Sequence, residues 1–438
     1  MRLHRLPLSS PMRSSSIHSW QFAENSWHYQ DFARQLLDRR WAFPGQDPRI
    51  DLIKVRRQNQ APHGDGTLLD RSWYCVPSPA LGDRVMGQYG DDAASAFFIV
   101  RDDLVHPLIN GNKARKLDAV LPLLEDFSVT DVVTCGGCQS AHTAAVAVAC
   151  AERRLKAHLL LRGEQPEILT GYNLISTMYG SVTYVPRSLY ANRQEMLEGH
   201  AILLAGEEGS VSSLTDVVRA SLKGQSRVSP NNVLTIDRGE YSKCSRNVAI
   251  INEGAGDSLA LLGVMRLVYL LSHDHLLGKK RIVKLVVDAG TGTTAVGLGL
   301  GVACMGLPWE VTAVMLADAH DKYREREKQL MAEFRQDFDF NLGNCLDDTS
   351  GGMVQWVERC TPRKFGKIKR GEIEECRGVA RETGILVDPV YTLAAWEKAT
   401  LLSEEWRGED GGVMVVMLHT GGTLGLFGLA QRYNSHFQ

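Results

Sequence analysis

Net charge is almost absent from this chain: 49 lysines and arginines stand against 51 aspartates and glutamates, a formal −2. That excludes the broad basic field by which a protein holds nucleic acid. An acidic tail is missing as well, so electrostatic attraction must be local to a site and the fitting partner is a small molecule. A paired-cysteine framework is also lacking, because the nine cysteines are odd in number and scattered, which points to a reducing compartment. Long apolar runs are missing too. The stretch from Leu259 to Leu271 is interrupted by Arg266, and that from Leu285 to Leu307 holds Asp288 and many glycines. Neither has the make-up of a bilayer-spanning helix, and no membrane partner is expected.

Acids are scarce in one region. The first thirty residues carry Arg2, Arg5, Arg13 and the cluster Ser14, Ser15, Ser16, with Glu24 as the one acid. This is the composition of an organelle transit peptide, and residues 1–40 are expected to be a leader or a disordered tail. A mitochondrial destination is expected, with the chloroplast as the alternative.

What is present is an ordinary globular composition, 438 residues with 44% hydrophobic and 23% charged, enough to bury one large core or two. From about Ala96 onward short β-rich runs alternate with helical stretches, as in parallel sheets covered by helices. The expected strands are 97–100, 131–134, 157–161, 182–185, 281–287, 311–316 and 413–418. The expected helices are 114–125, 140–153, 193–204, 259–271, 294–304, 322–334 and 372–382. No solenoid repeat is visible, so an α/β, doubly wound architecture is expected. Residues 40–70 read as an extended arm, and 206–245 as an irregular insertion with a domain division near it.

Three glycine-containing stretches sit where a strand gives way to a loop or helix, the place where open α/β sheets hold ligands. The first is Gly111-Asn112-Lys113-Ala114-Arg115-Lys116-Leu117. A lysine at a helix mouth with two further cations within a turn has a neighbourhood that disfavours its charged form, making it a better nucleophile for an aldehyde. A solvated basic helix start is the plainer explanation of this segment alone.

The second is Cys135-Gly136-Gly137-Cys138-Gln139-Ser140-Ala141-His142-Thr143, after the strand at 131–134. Ser140 can cap the following helix, whose amides and dipole would attract a carboxylate. Cys135 and Cys138 have thioredoxin-like spacing, a redox reading that the glycines make unnecessary. His142 by itself reads as a polar helix residue.

The third is Asp288-Ala289-Gly290-Thr291-Gly292-Thr293-Thr294-Ala295, after an apolar strand. Closely spaced glycines let amides converge, and threonine hydroxyls add donors, making a cup for one phosphate. The rival is a dinucleotide fingerprint, since Gly290, Gly292 and Ala295 fit G-x-G-x-x-A and Asp318 follows a later strand, which would suit an NAD-dependent oxidoreductase.

Taken in order over about 97–427, the motifs resemble a known family: the fold-type II pyridoxal-phosphate enzymes that include D-cysteine desulfhydrase and 1-aminocyclopropane-1-carboxylate deaminase. The resemblance lies in Val100-Arg101-Asp102-Asp103-Leu104, similar to K-R-E-D-L, and Gly111 to Leu117, similar to G-N-K-x-R-K-L. It continues through Gly136-Gly137-Cys138-Gln139-Ser140, Tyr172-Asn173-Leu174, the phosphate loop, Asp388-Pro389-Val390-Tyr391-Thr392 and His419-Thr420-Gly421-Gly422.

The resemblance implies a tryptophan synthase β-like fold with two doubly wound parallel-sheet domains. Residues 41–110 would form an arm and the first strands of the large domain, 111–220 the small domain and 221–438 the large one. It implies pyridoxal 5′-phosphate as cofactor, no metal, a small amino-acid substrate and a homodimer. Lys113 looks like the lysine joined to the cofactor aldehyde, Ser140 like the hydroxyl facing the substrate, and Tyr391 like the ring stacked on the pyridine. Asn112, Gly290, Thr291, Gly292, Thr293, Thr294, Thr392 and Thr420 would also hold the cofactor, and Gln139, His142 and Phe365 would join Ser140 at the substrate.

Where the deaminases carry glutamate and leucine, this sequence has Thr392 and Thr420, as desulfhydrases do, which favours α,β-elimination of D-cysteine to hydrogen sulfide, pyruvate and ammonia. A neutral hydroxyl at the pyridine nitrogen would leave the ring uncharged and a weaker electron sink, so a good leaving group such as thiolate matters more. Three departures stand out: Ala141 for a family asparagine, Phe365 for a tyrosine and Ala144 for an arginine. The alternatives are a deaminase acting on the cyclopropane amino acid, the NAD enzyme, and a cofactor-binding protein that has lost catalysis.

Overall fold

A computed structural model describes residues 36–57, 71–79, 81, 95–109, 111–222, 245–338, 352–406 and 412–438. The expected leader lies almost entirely outside the described residues. Among them no helix is long and apolar enough to cross a membrane.

Among the described residues twelve strands form two sheets. They are β1 (Ile50–Arg57), β2 (Arg71–Val76), β3 (Ser95–Val100), β4 (Asp131–Gly137), β5 (Lys156–Arg162), β6 (Ser181–Val185), β7 (Ser210–Ser213), β8 (Asn247–Ile250), β9 (Val283–Ala289), β10 (Trp309–Met315), β11 (Val354–Glu358) and β12 (Met414–Leu418). The larger sheet has the order β11-β10-β9-β12-β3-β1-β2, and the smaller β6-β5-β4-β8-β7. The small sheet is parallel throughout. The large one is parallel from β11 to β3 and antiparallel where β1 joins β3 and β2.

Every expected strand is present, with ends shifted by a few residues. Three regions differ from expectation. The segment at 40–70 is no mere arm: Leu52, Ile53 and Val55 are buried because β1 is an integral strand of the large sheet. Within 206–245 a strand and the helix Leu214–Leu222 form, and β8 completes the small sheet beyond it, so a division at 220 would fall inside one sheet. The expected helix 114–125 is instead two, Gly111–Asp118 and Val120–Asp126.

A continuous apolar core runs through both sheets. The helix Ser258–Leu271 belongs to this core and lies against the helices Gly111–Asp118 and Thr293–Cys304. Gly297 permits that approach: a Cβ there would stand 2.8 Å from Val264. Such a glycine costs the helix about 1 kcal/mol relative to alanine, which close packing offsets. In the small sheet β4 lies between β5 and β8, and in the large sheet β9 lies between β10 and β12, so each marks a reversal of strand order. The Ser140 loop leaves the carboxyl end of one, and the Gly290–Thr294 loop leaves the carboxyl end of the other, the positions where such sheets bind ligands.

Candidate active site

Lys113 sits in the first turn of the helix Gly111–Asp118, which carries no acid in that turn. Its ammonium donates to Asn112 Oδ1 at 3.3 Å. The same side chain donates from Nδ2 to Thr294 Oγ1 at 3.4 Å, and the Asn112 amide donates to the Thr420 carbonyl at 3.3 Å. One residue thus joins the amine, the glycine loop and the end of β12. Burial lowers the Lys113 pKa to about 8, with Asp288 opposing that shift. The cause differs from the one read in the sequence. Of the neighbouring cations, Arg115 is bound to the buried Asp102 by three contacts of 2.7 to 3.1 Å. Lys116 is itself buried, donates to the Gly254 carbonyl at 2.9 Å, and is pushed well below its usual pKa by burial and then by Lys113. Desolvation, more than like charge, makes the Lys113 amine nucleophilic.

The glycine loop turns at Gly292, φ +80°, where a Cβ would come within 3.1 Å of Trp356 and 3.2 Å of Tyr323. The helix Thr293–Cys304 starts there without a side-chain cap, so the amides of its first turn face an anion site with no protein acceptor supplied by a side chain. Thr293 and Thr294 are buried in this turn, whereas Thr291 is exposed and its hydroxyl lies 3.2 Å from that of Thr293. Gly290 leaves room for Tyr391, whose Cε1 would be 3.3 Å from a Cβ at that position. Phe365, 43% exposed, meets the Tyr391 ring edge-on at 5.7 Å.

Ser140 caps the helix Ala141–Glu152, accepting from Thr143 N at 3.4 Å. This helix packs on the Lys113 helix. Other expected site residues are committed elsewhere. The Gln139 amide accepts from Tyr172 N at 3.1 Å and donates to the Thr170 carbonyl at 3.0 Å, pinning the start of the helix Gly171–Tyr179. His142 lies 2.8 Å from Thr134 Oγ1, whose proton goes to the Ile251 carbonyl at 2.7 Å. His142 Nε2 is therefore the donor. Burial, then Lys113 and Lys116, hold the imidazole well below its ordinary pKa. The hydroxyl of Thr392 donates to Asp388 Oδ2 at 2.9 Å, and that of Thr420 donates to Asp288 Oδ1 at 2.6 Å. Cys135 and Cys138 are free, and burial raises both thiols, Cys135 to about 12, which removes the redox reading.

The chain is 54% identical over 407 residues to a rice (Oryza sativa subsp. japonica) protein provisionally named D-cysteine desulfhydrase 2, mitochondrial, covering 92% of this chain and 95% of that one. The chain belongs to the D-cysteine desulfhydrase family. A bifunctional D-cysteine desulfhydrase/1-aminocyclopropane-1-carboxylate deaminase, mitochondrial, from Arabidopsis thaliana is 24% identical over 346 residues, covering 75% of this chain and 73% of its own. A solved structure described as an ACC deaminase homologue shares the fold at 23% identity and a TM-score of 0.58, covering 78% of this chain and 89% of that one. No protein-family model matches the chain. It is a fold-type II enzyme, with β1 and β2 as the antiparallel exception to its parallel sheets.

The donor set fits a phosphorylated aldehyde. An uncapped helix start would suit a phosphate, a desolvated amine would suit a carbonyl carbon, and Asn112 links the two. Three supporting residues were given no role from the sequence. Tyr323, stacked on Trp356 at 4.8 Å, donates toward the carbonyls of Ala289 at 2.7 Å and Gly290 at 2.9 Å, bracing the glycine loop from below. Asp388 collects the amides of Val390 and Tyr391, each at 2.9 Å, and of Thr392 at 3.2 Å, which fixes the Tyr391 turn. Asp288 is buried beside Thr420. The signal for Asp288 was there to be read, as an acid closing an apolar strand; nothing in the sequence pointed to Tyr323.

Proposed function

We propose that this chain eliminates hydrosulfide from D-cysteine with pyridoxal phosphate held on Lys113, releasing pyruvate and ammonia, in the mitochondrion and as a homodimer. The observation that carries the reading is the half-buried Lys113 amine, tied through Asn112 to the mouth of the helix Thr293–Cys304. When bound, the cofactor supplies an aldehyde conjugated to an electron-withdrawing ring. The amides of Gly290 to Thr294 would grip its phosphate and Tyr391 would cover the ring. Ser140 and the amides at its helix start would hold the substrate carboxylate, keeping the α-carbon within reach of Lys113 Nζ. With its pKa near 8, that nitrogen is poised to take a proton near neutrality and give it back.

The names of the rice and Arabidopsis relatives support the desulfhydrase activity and the mitochondrial location. The Arabidopsis name also favours a second reading, opening of the cyclopropane amino acid, which would yield 2-oxobutanoate in place of sulfide. Incubating the loaded protein with D-cysteine and, separately, with 1-aminocyclopropane-1-carboxylate separates the two by product. Lys113→Ala is expected to lose both the cofactor absorption band and sulfide release; turnover surviving in that variant would overturn the proposal.

A further inference from the structure

Outside the candidate active site, two segments far apart in sequence bring three metal-ligating side chains together. Asp47 precedes β1, and His273 and His275 lie in the turn that follows the helix Ser258–Leu271. One ligand atom from each, two imidazole nitrogens and a carboxylate oxygen, lies within 4.8 Å of the other two. His275 Nε2 is 2.8 Å from Asp47 Oδ2. The two imidazoles stand 5.7 Å apart, centre to centre, with 35° between their planes. Among the described residues no other three histidine, cysteine or acidic side chains meet so closely.

The local backbone accounts for the placement. The His273 carbonyl accepts from the amides of Leu276 at 2.9 Å and Gly278 at 3.0 Å, and Leu277 N donates to the Leu271 carbonyl at 3.0 Å. Gly278, at φ +75°, permits the reversal. Leu276 and Leu277 are buried and hold the turn against the core, which leaves His273 half-buried and His275 exposed. The Tyr269 ring meets that of His273 edge-on at 5.0 Å. On the other segment, Asp47 is followed by the buried Pro48, and a residue before proline is confined to extended backbone. Arg266 of the helix holds this segment as well, donating to the Phe43 carbonyl at 3.2 Å and lying 4.6 Å over the Trp41 ring.

We propose that Asp47, His273 and His275 bind a divalent transition-metal ion, zinc being the fitting one, which fastens the segment before β1 to the turn after the helix Ser258–Leu271. Two imidazoles and one carboxylate suit zinc, whereas calcium and magnesium call for oxygen ligands. Around a tetrahedral zinc with bonds of about 2.0–2.1 Å the ligand atoms are about 3.3 Å apart. Asp47 and His275, with side chains 50% and 60% exposed, have the freedom to close that gap, and the half-buried His273 is the fixed point. The ion takes the place of the hydrogen between Asp47 and His275 once the ring changes tautomer. Because the ligands come together only in the folded chain, binding favours that chain. The resemblance implied no metal, but none of its motifs contains these three residues.

The test uses the full-length chain, stripped of metal by a chelator, as the wild type and as His273→Gln, His275→Gln and Asp47→Asn. Zinc chloride is titrated by calorimetry at pH 7.5, and Tm is measured with and without the ion. His275 is exposed, so its substitution leaves the core undisturbed and keeps the test decisive should His273→Gln fold poorly. The expected result is one more zinc bound per chain in the wild type than in either histidine variant, with a zinc-dependent rise in Tm that both variants lose. Asp47→Asn should bind about tenfold more weakly. Zinc held by other histidines or by the exposed Cys360 is common to all four proteins and cancels in the comparison. A wild type that binds no more zinc than the histidine variants, a site kept by His275→Gln, or undiminished affinity in Asp47→Asn would each overturn the inference.

Discussion

Lys113 and Thr294 are joined through one side chain, the Asn112 carbonyl accepting from the amine at 3.3 Å and its amide donating to the threonine hydroxyl at 3.4 Å. The nucleophile is thus set at a fixed reach from the phosphate cup. Replacing Asn112 with alanine removes that link. The expected loss is about tenfold in pyridoxal-phosphate affinity, roughly 1.4 kcal/mol, the size of one or two net hydrogen bonds. Fluorescence titration of the cofactor-free protein measures it, and unchanged affinity would show the link to be incidental.

The Lys113 amine sets a pH dependence. Its pKa is lowered by burial to about 8, so the neutral, reactive form predominates above that value. The rate of cofactor uptake should rise with pH through about 8 and then level off. Stability carries the same sign. Between about 8 and the ordinary 10.5 the unfolded chain binds more protons at this site than the folded one, so the cofactor-free protein should gain stability as pH rises through that window. Below about 8 the penalty is constant. Lys113→Met should remove this increment, and an unchanged slope in chemical denaturation would contradict the assigned cause.

Tyr323 braces the glycine loop through Ala289 and Gly290, and its hydroxyl also accepts from Ala317 N at 3.0 Å. Tyr323→Phe leaves these groups without that partner. A loss of about 1–3 kcal/mol in stability is expected for buried groups left unpaired. Inorganic phosphate should also compete less well for the cofactor site. A variant with wild-type stability and phosphate competition would argue that the loop needs no brace.

The fold was legible where period and glycine agree. The strand into Gly290, the strand into Gly136 and the helices after them were readable because an apolar run ending in glycine admits few other structures. β1 was missed because Lys54, Arg56 and Arg57 make Ile50–Arg57 resemble a polar arm, and only the neighbouring strands explain its buried face. The helix Thr392–Glu405 went unread although Asp388 and Pro389 announce a turn before it. For the candidate site, ordered motifs nominated Lys113, Ser140, Gly290 and Tyr391. They could not show that Gln139 is spent on Tyr172 and Thr170, or that Thr420 faces Asp288, because hydrogen-bond partners from distant segments are set by tertiary packing.

His142 stays neutral in this account of the site, because burial first and the two lysines second disfavour its charged form. The pH profile of sulfide release between 5.5 and 7.5 should therefore keep its shape in His142→Gln, even if the rate falls through loss of the Thr134 contact. An ionisation near 6.5 present in the wild type and missing in the variant would assign His142 a proton-transfer role that its surroundings deny it.

Cofactor attachment is open to one direct measurement. Protein loaded with pyridoxal phosphate is reduced with borohydride, digested and mapped by mass spectrometry. The expected phosphopyridoxyl group lies on Lys113 at one per chain; a group on Lys116 or any other lysine, or none at all, would contradict the site described above.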